Sequence, residues 1–506
     1  MVRTTLKIPP GLTSDDTTHA ASGRWADGSN VRFRLGMPQV IGGWEALTAS
    51  LLGGVCRWVF PWGTGDGQLH FAFGTHQTLE VWVGGGLYDI TPTGLAAGEI
   101  DGTGQAGYGT GPYGAGGYAT PSVDDYFPRT WSGGAFGEDL IASPRLGTIY
   151  EWDPADTGAP AAALSNAPEN VTYCLVSSKD FVFALGCNEE ASGVFNALCV
   201  RHSSTGDSNV WNTDSTTTSR EYILPGGGRI VGGRVLGDHV LVWTNSALFR
   251  FDFVGQLTQV HRFEKVGDHC GLIGPGAAVV VGQSAYWLSP DRQFWTYALG
   301  GEPQPVPCPI REDFADNLAE AQADKVVASS IGGFNEVRWD YPDSRDGYEN
   351  SRYVALAVAG PDAGAWYRGQ MARTAMIDAG PASYPLGVTY EGQAYWHERG
   401  RSADGGVLSW FIESADQYLS EDRSLLVKTF WPDAQEQVGP VSLTLTSRFK
   451  PQGEERTRAY SFGAGDEKVD IRASGRLLRM KLSGSASPTA FRLGQPVFDM
   501  VPAGGR

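Results

Sequence analysis

Residues 56–90 read CRWVFPWGTGDGQLHFAFGTHQTLEVWVGGGLYDI. Four short apolar runs stand in this stretch, at 56–60, 69–73, 79–83 and 86–90. Gly63, Gly65, Asp66 and Gly67, then Gly74, then Gly84 and Gly85 separate them. Short apolar and aromatic runs divided by Gly and Asp read as strands joined by tight turns. Four antiparallel strands in about 40 residues make one blade of a β-propeller.

The same phrase returns along the chain. An apolar strand, a Gly, Asp or Ser turn and an aromatic strand recur within 138–153, 171–211, 229–266, 277–306 and 336–371. Examples are Val240-Leu241-Val242-Trp243 before Leu248-Phe249, and Tyr286-Trp287-Leu288 before Phe294-Trp295. The spacing is loose, about 40 to 50 residues, and no strict repeat accompanies it. The expected architecture is all-β: a propeller of about six blades with a small C-terminal β-sandwich or barrel. The expected boundaries are an N-terminal arm and opening strand at 1–54, the propeller body at 55–395, a connecting segment at 396–440 and the C-terminal module at 441–506. In that module Val441, Leu443 and Leu445 alternate with polar residues, as do Phe491 and Leu493. Two segments depart from the strand rhythm. Residues 102–117 hold eight glycines with Tyr108 and Tyr113, so an insertion near 98–120 has no side chains with which to build a core. Residues 312–325 place Phe314, Leu318 and Ala321 at helical spacing, which predicts a helix there.

Composition agrees with many strands and tight turns. Charged residues are 19% of the 506, against the usual quarter, and Gly is 68. The net charge of −17 disfavours a nonspecific grip on nucleic acid, which needs Lys and Arg against phosphate. That charge is uneven: residues 441–506 hold 11 Lys/Arg and 6 Asp/Glu, the remainder 28 and 50. Opposite signs on two modules suit either a docking surface or a solvated face. Cys56, Cys174, Cys187, Cys199, Cys270 and Cys308 form no Cys-x-x-Cys pair. They read as buried free thiols of a protein assembled in a reducing compartment. The N-terminal residues lack the apolar core of a secretory signal, and no apolar run reaches the roughly 18 residues of a membrane span.

No catalytic, cofactor or metal motif emerges. The eight His show no His-Glu-x-x-His pattern and no i, i+4 pair. His261 lies near His269-Cys270, but adjacent strand residues point to opposite faces, which makes that His-Cys pair a poor nucleophile. The Gly-rich insertion lacks the Lys of a phosphate loop. Carboxylates are the remaining enzymatic idea: Asp124-Asp125, Glu189-Glu190, Asp340 and Asp343 would have to converge as acid and base. The segment from Ser289 to Trp295 faintly echoes a sialidase-type Asp box, one residue short. The segment from Asp343 to Gly347 has Pro342 and Ser344 where a calcium loop needs oxygen ligands, and reads as a tight turn.

One further stretch carries a family resemblance. Residues 25–44 read WADGSNVRFRLGMPQVIGGW, with Val31 and Phe33 alternating with Arg32 and Arg34 between Gly turns. This segment resembles the opening of the tail nozzle proteins of short-tailed bacteriophages, also called packaged-DNA stabilisation proteins. The stretch from Lys265 to Ile273, the Trp366-Tyr367 patch and the run from Ser474 to Leu482 look like later parts of the same family. The Gly/Tyr-rich insertion departs from it. The resemblance implies a structural, non-enzymatic virion protein: a homo-hexameric ring in the phage tail, assembled in the host bacterial cytoplasm. Such a ring continues the DNA channel, helps retain packaged DNA and lets double-stranded DNA pass without specific contact. Its implied partners are the tail adaptor ring, tail fibre or spike proteins and the tail needle. A glycan-binding propeller adhesin and a propeller glycosidase stand as the alternatives.

Overall fold

The computed structural model describes residues 2–102, 127–418 and 424–503. Strand accounts for 50% of the structure and helix for 3%. Among the described residues, seven four-stranded antiparallel sheets form the propeller. Blade 1 spans 56–89, blade 2 131–163, blade 3 173–223, blade 4 230–268, blade 5 278–305 and blade 6 327–370. In each of these the strands pair in chain order, so every blade is a local meander. Blade 7 takes three strands from 375–397 and its fourth, Trp44–Ala46, from the other end of the chain, with His397 opposite Trp44. The innermost strands touch in sequence around the ring, and blade 7 meets blade 1. The propeller expectation holds, with seven blades where about six were expected. The extra blade lay hidden because a quarter of it is encoded some 330 residues before the rest.

Aromatic side chains fill the spaces between blades. Trp243, Trp287 and Trp339 occupy the second strands of blades 4, 5 and 6 and are fully buried. The Trp287 indole N–H donates to the Cys270 carbonyl at 2.8 Å, so the large ring is buried without leaving its donor unmet. In blade 1 the absence of a side chain at Gly74 leaves room for the Trp131 ring of blade 2, whose N–H reaches the Thr75 carbonyl at 2.8 Å.

Beyond the propeller, three sheets share one core and use both ends of the chain. Val2–Thr5 pairs with Val497–Pro502 beside Leu425–Trp431 and Val469–Gly475. Trp25–Ser29 pairs with Trp410–Ser414, followed by Leu477–Gly484, Val441–Arg448 and Arg456–Phe462. Val31–Arg34, Met37–Val40, Ala490–Leu493 and Ala434–Val438 form the third sheet. Phe430, Phe462, Phe491 and Phe498 meet inside. The terminal module is therefore larger than 441–506. The segment 396–440, expected as a connector, supplies four of its strands, and residues 1–54 supply four more besides the last strand of blade 7. Several of those strands are only two to five residues long, which leaves little periodicity to read.

The predicted helix at 312–325 is also corrected. An α-helix covers Arg311–Asn317, and a 3-10 turn covers Glu320–Lys325. Between them Leu318 pairs with Asp343 and the Ala319 N–H donates to the Pro342 carbonyl, so blade 6 draws the backbone out of the helix.

Residues 25–44 bind the two modules together. The Arg32 side chain is 2% exposed, and its guanidinium holds both Glu398 oxygens at 2.7 Å. It also ion-pairs with Glu336 at 3.1 Å and lies 3.7 Å over the Phe334 ring. Glu336 accepts the Tyr367 hydroxyl at 2.6 Å, and burial pushes its carboxyl up to about 6. Next to this, the Leu35 and Gly36 N–H groups donate to Asp362 at 2.7 and 2.6 Å. A guanidinium with both carboxylates satisfied is tolerated in a core, and removing one partner is costly.

Candidate functional site

The innermost strands begin at one mouth of the ring, and polar side chains collect there. Arg57 and Trp131 sit at the starts of the first strands of blades 1 and 2, and Tyr173 begins that of blade 3. Arg234 lies on the first strand of blade 4, Pro275-Gly276 lead into blade 5, and Asp324 to Val327 lead into blade 6. Together with Trp58 and Thr130 they enclose a cavity of about 40 Å³. A cavity lined from six of seven blades has to lie on the propeller axis.

Ion pairs roof this cavity. The Lys325 side chain is fully buried, and its ammonium donates to Asp101 at 2.5 Å, Glu349 at 2.6 Å and the Tyr348 carbonyl at 2.7 Å. Arg57 reaches from blade 1 to the same Glu349 of blade 6 at 2.7 Å, past blade 7. Arg145 of blade 2 pairs with Asp324 at 3.0 Å across the axis. The chain entering the Gly/Tyr-rich insertion is tied in: Gly102 exchanges two hydrogen bonds with Gln322, at 3.0 and 2.7 Å. Phe127, on the far side of the insertion, lies 3.8 Å from the Arg145 guanidinium. Residues 103–120 of the expected insertion lie outside the described residues.

Arg234 differs from its neighbours. Nε donates to the Ala278 carbonyl at 2.9 Å, Nη1 to the Gly233 carbonyl at 2.7 Å and to the Tyr173 hydroxyl, and Nη2 to the Pro275 carbonyl at 3.1 Å. All four acceptors are neutral. Burial pushes the Tyr173 phenol up, which keeps it a neutral hydroxyl.

Among the described residues, the carboxylates considered as acid and base are each held by other partners. Asp340 is fully buried against Arg338, whose Nε lies 3.0 Å away. Asp343 is fully buried and accepts from Arg345 Nε at 2.8 Å, with Arg352 at 3.4 Å. Glu189 and Glu190 stand on an exposed hairpin tip of blade 3, holding Ser192 and Asn196 and the Thr213 N–H. Asp124 and Asp125 lie outside the described residues. The segment from Ser289 to Trp295 is the hairpin turn inside blade 5, with Trp295 N–H donating to the Ser289 hydroxyl at 3.0 Å. Asp343 to Gly347 forms the tight turn expected of it.

His261 meets neither His269 nor Cys270. It faces His202 of blade 3 at 3.1 Å inside a box of Phe181, Phe183 and Phe253. Burial pushes His202 down to about 3 and His261 down to about 4, so both rings are neutral near pH 7. The two are 59 residues apart, and no spacing rule links them. Arg57, Arg234 and Lys325 were missed for the same reason. Their one signal is a cation within or beside an innermost strand, as in Gly232-Gly233-Arg234.

Among the described residues no group of three or more His, Cys, Asp or Glu is placed to hold a metal ion. No described helix is long and apolar enough to cross a membrane.

No protein-family model and no curated protein matches the chain. Among solved structures, BamB from Moraxella catarrhalis is 13% identical, with a TM-score of 0.38 over 76% of this chain and 96% of that one. The β-propeller domain of Myceliophteria thermophila Cps50 (Swd1) is 12% identical, with a TM-score of 0.42 over 72% of this chain and all of that one.

Proposed function

We propose that this chain is a structural subunit of a short bacteriophage tail, repeated in a ring that continues the DNA channel and helps retain packaged DNA. The observation that carries this reading is the place of residues 25–44. The stretch with the family resemblance holds the buried Arg32 joint that fixes propeller to terminal module. A subunit that bears load between neighbours needs such a joint. Charge supports the same reading. Residues 44–407 hold 21 Lys/Arg against 41 Asp/Glu, whereas 1–43 and 408–506 together hold 18 against 15. An acidic surface beside passing DNA repels phosphate and lets the duplex slide, and unlike modules favour contact between neighbours.

The test is assembly. Native mass spectrometry of the purified chain, alone and with tail adaptor, should show a closed ring whose formation weakens with salt. Particles made without the chain should package DNA and then lose it. A monomer under all these conditions, with particles that retain DNA and infect, would overturn the proposal. So would a glycan-cleaving activity abolished by Asp340→Asn or Asp343→Asn with the fold intact.

A further inference from the structure

We infer that the axial cavity is a binding site for one small free oxyanion of about phosphate size. Three cationic side chains line it: Arg57 and Lys325 are paired with Glu349 and Asp101, the lining Asp324 is engaged by Arg145, and Arg234 has no carboxylate partner among the described residues. The Lys325 ammonium spends its three protons on Asp101, Glu349 and the Tyr348 carbonyl, so it has no further donor and its charge is already balanced. Arg57 is different. Its side chain is 1% exposed, its Nη atoms hold Glu349 and the Ile100 carbonyl, and its Nε–H is buried without a partner. A guanidinium has five N–H donors, and Arg234 uses four on neutral acceptors, leaving one Nη2–H and a charge that no carboxylate among the described residues balances. The Tyr173 hydroxyl accepts from Arg234 and keeps its own proton to donate.

The site thus offers Arg234 Nη2–H and the Tyr173 O–H from two different blades, with the Arg57 Nε–H buried in the wall behind them. A buried donor left unmet costs free energy, and a guanidinium prefers an anionic acceptor. The volume of about 40 Å³ would hold about three waters, or one oxyanion whose oxygens replace them. The anion is preferred because water satisfies the donors yet leaves the Arg234 charge unbalanced.

Isothermal titration of the full chain with inorganic phosphate, and separately with acetate, tests this at constant ionic strength. The expected result is saturable binding at one site per chain, with chloride giving no comparable heat. Arg234→Met should weaken the phosphate affinity at least tenfold while the chain stays folded, because its present partners are all neutral. Tyr173→Phe, a smaller change, should weaken it severalfold and serves if the first variant does not fold. The exposed Arg34→Ala should leave it unchanged. No saturable heat would show that the cavity holds water only and overturn the inference. A response equal for phosphate and chloride, or one untouched in both Arg234→Met and Tyr173→Phe, would overturn it as well.

Discussion

In the propeller, a strand's hydrogen-bonded neighbour is nearly always the next strand along the chain; in the terminal module it is seldom so. Blade 4 is complete within 230–268, whereas one sheet of the terminal module joins Val2–Thr5 to Val497–Pro502. Local pairing closes short loops at modest entropic cost. Pairing across nearly 500 residues does not, so that module depends on packing and on specific ties such as Arg32. One half of the molecule is held together by repetition, the other by a few particular contacts.

The largest expected effect follows from removing residues 2–41. Three sheets would each lose strands, and the terminal module should unfold, while the propeller keeps Trp44–Ala46 and stays closed. Limited proteolysis would show rapid cleavage within 408–503 and a protected core at 44–407. A protected 408–503 region would break the comparison, since it would show that the module folds from local strands after all.

Arg32→Ala comes next. It leaves Glu336 and Glu398 at the joint without their cation, which should cost about 3–5 kcal/mol. Chemical denaturation should then resolve two transitions where the intact protein shows one. A loss below about 1 kcal/mol would mean that apolar packing alone couples the modules.

Acid should sharpen the contrast, because the two regions respond with opposite sign. The buried His202–His261 pair binds protons less readily folded than unfolded. Its contribution is intact above about pH 6.5 and falls as pH drops toward 4, on the order of 2 kcal/mol for each ring by pH 5. Glu336 at the joint, raised to about 6, binds its proton more tightly folded than unfolded. As pH falls from 6 to about 4.5 its contribution therefore rises, by less than about 2 kcal/mol. Segment-resolved hydrogen exchange at pH 7 and pH 5 should show blades 3 and 4 loosening more than 336–341. Equal loosening of both would contradict these assignments.

The smallest effect belongs to Arg34→Ala. Arg34 shares the strand with Arg32 but is exposed, 5.7 Å from the Phe334 ring. Its loss should change stability by less than about 1 kcal/mol, measured by thermal unfolding.

The same contrast explains what could be read in advance. The strands of blade 1 are visible in 56–90 because each apolar run ends at a Gly or Asp turn and pairs with the next. Blade 7 was not countable, since its last strand is the unremarkable Trp44-Glu45-Ala46. The opening strand at 31–34 was legible as a strand, but its partner Met37–Val40 and their neighbour Ala490–Leu493 were not. The axial cavity was beyond reach altogether. Arg57, Arg234 and Lys325 stand in three blades at no common interval, and only closure of the ring brings them together. His202 and His261 meet for the same reason, at the seam between blades 3 and 4.

The borrowed fourth strand of blade 7 has a bearing on synthesis. Translation yields Trp44–Ala46 first and Ala394–His397, its pairing partner, only after some 350 more residues. At about 5–20 residues per second that interval is on the order of twenty seconds to a minute. Throughout it the first six blades fold behind the ribosome as an open arc, with one flank of blade 1 and one of the last blade made uncovered. A nascent chain in that state is a target for chaperones and for pairing with a second copy. A host that translates faster, or a mutation that delays blade 7, should therefore be felt first in the yield of soluble protein and not in the stability of what has closed.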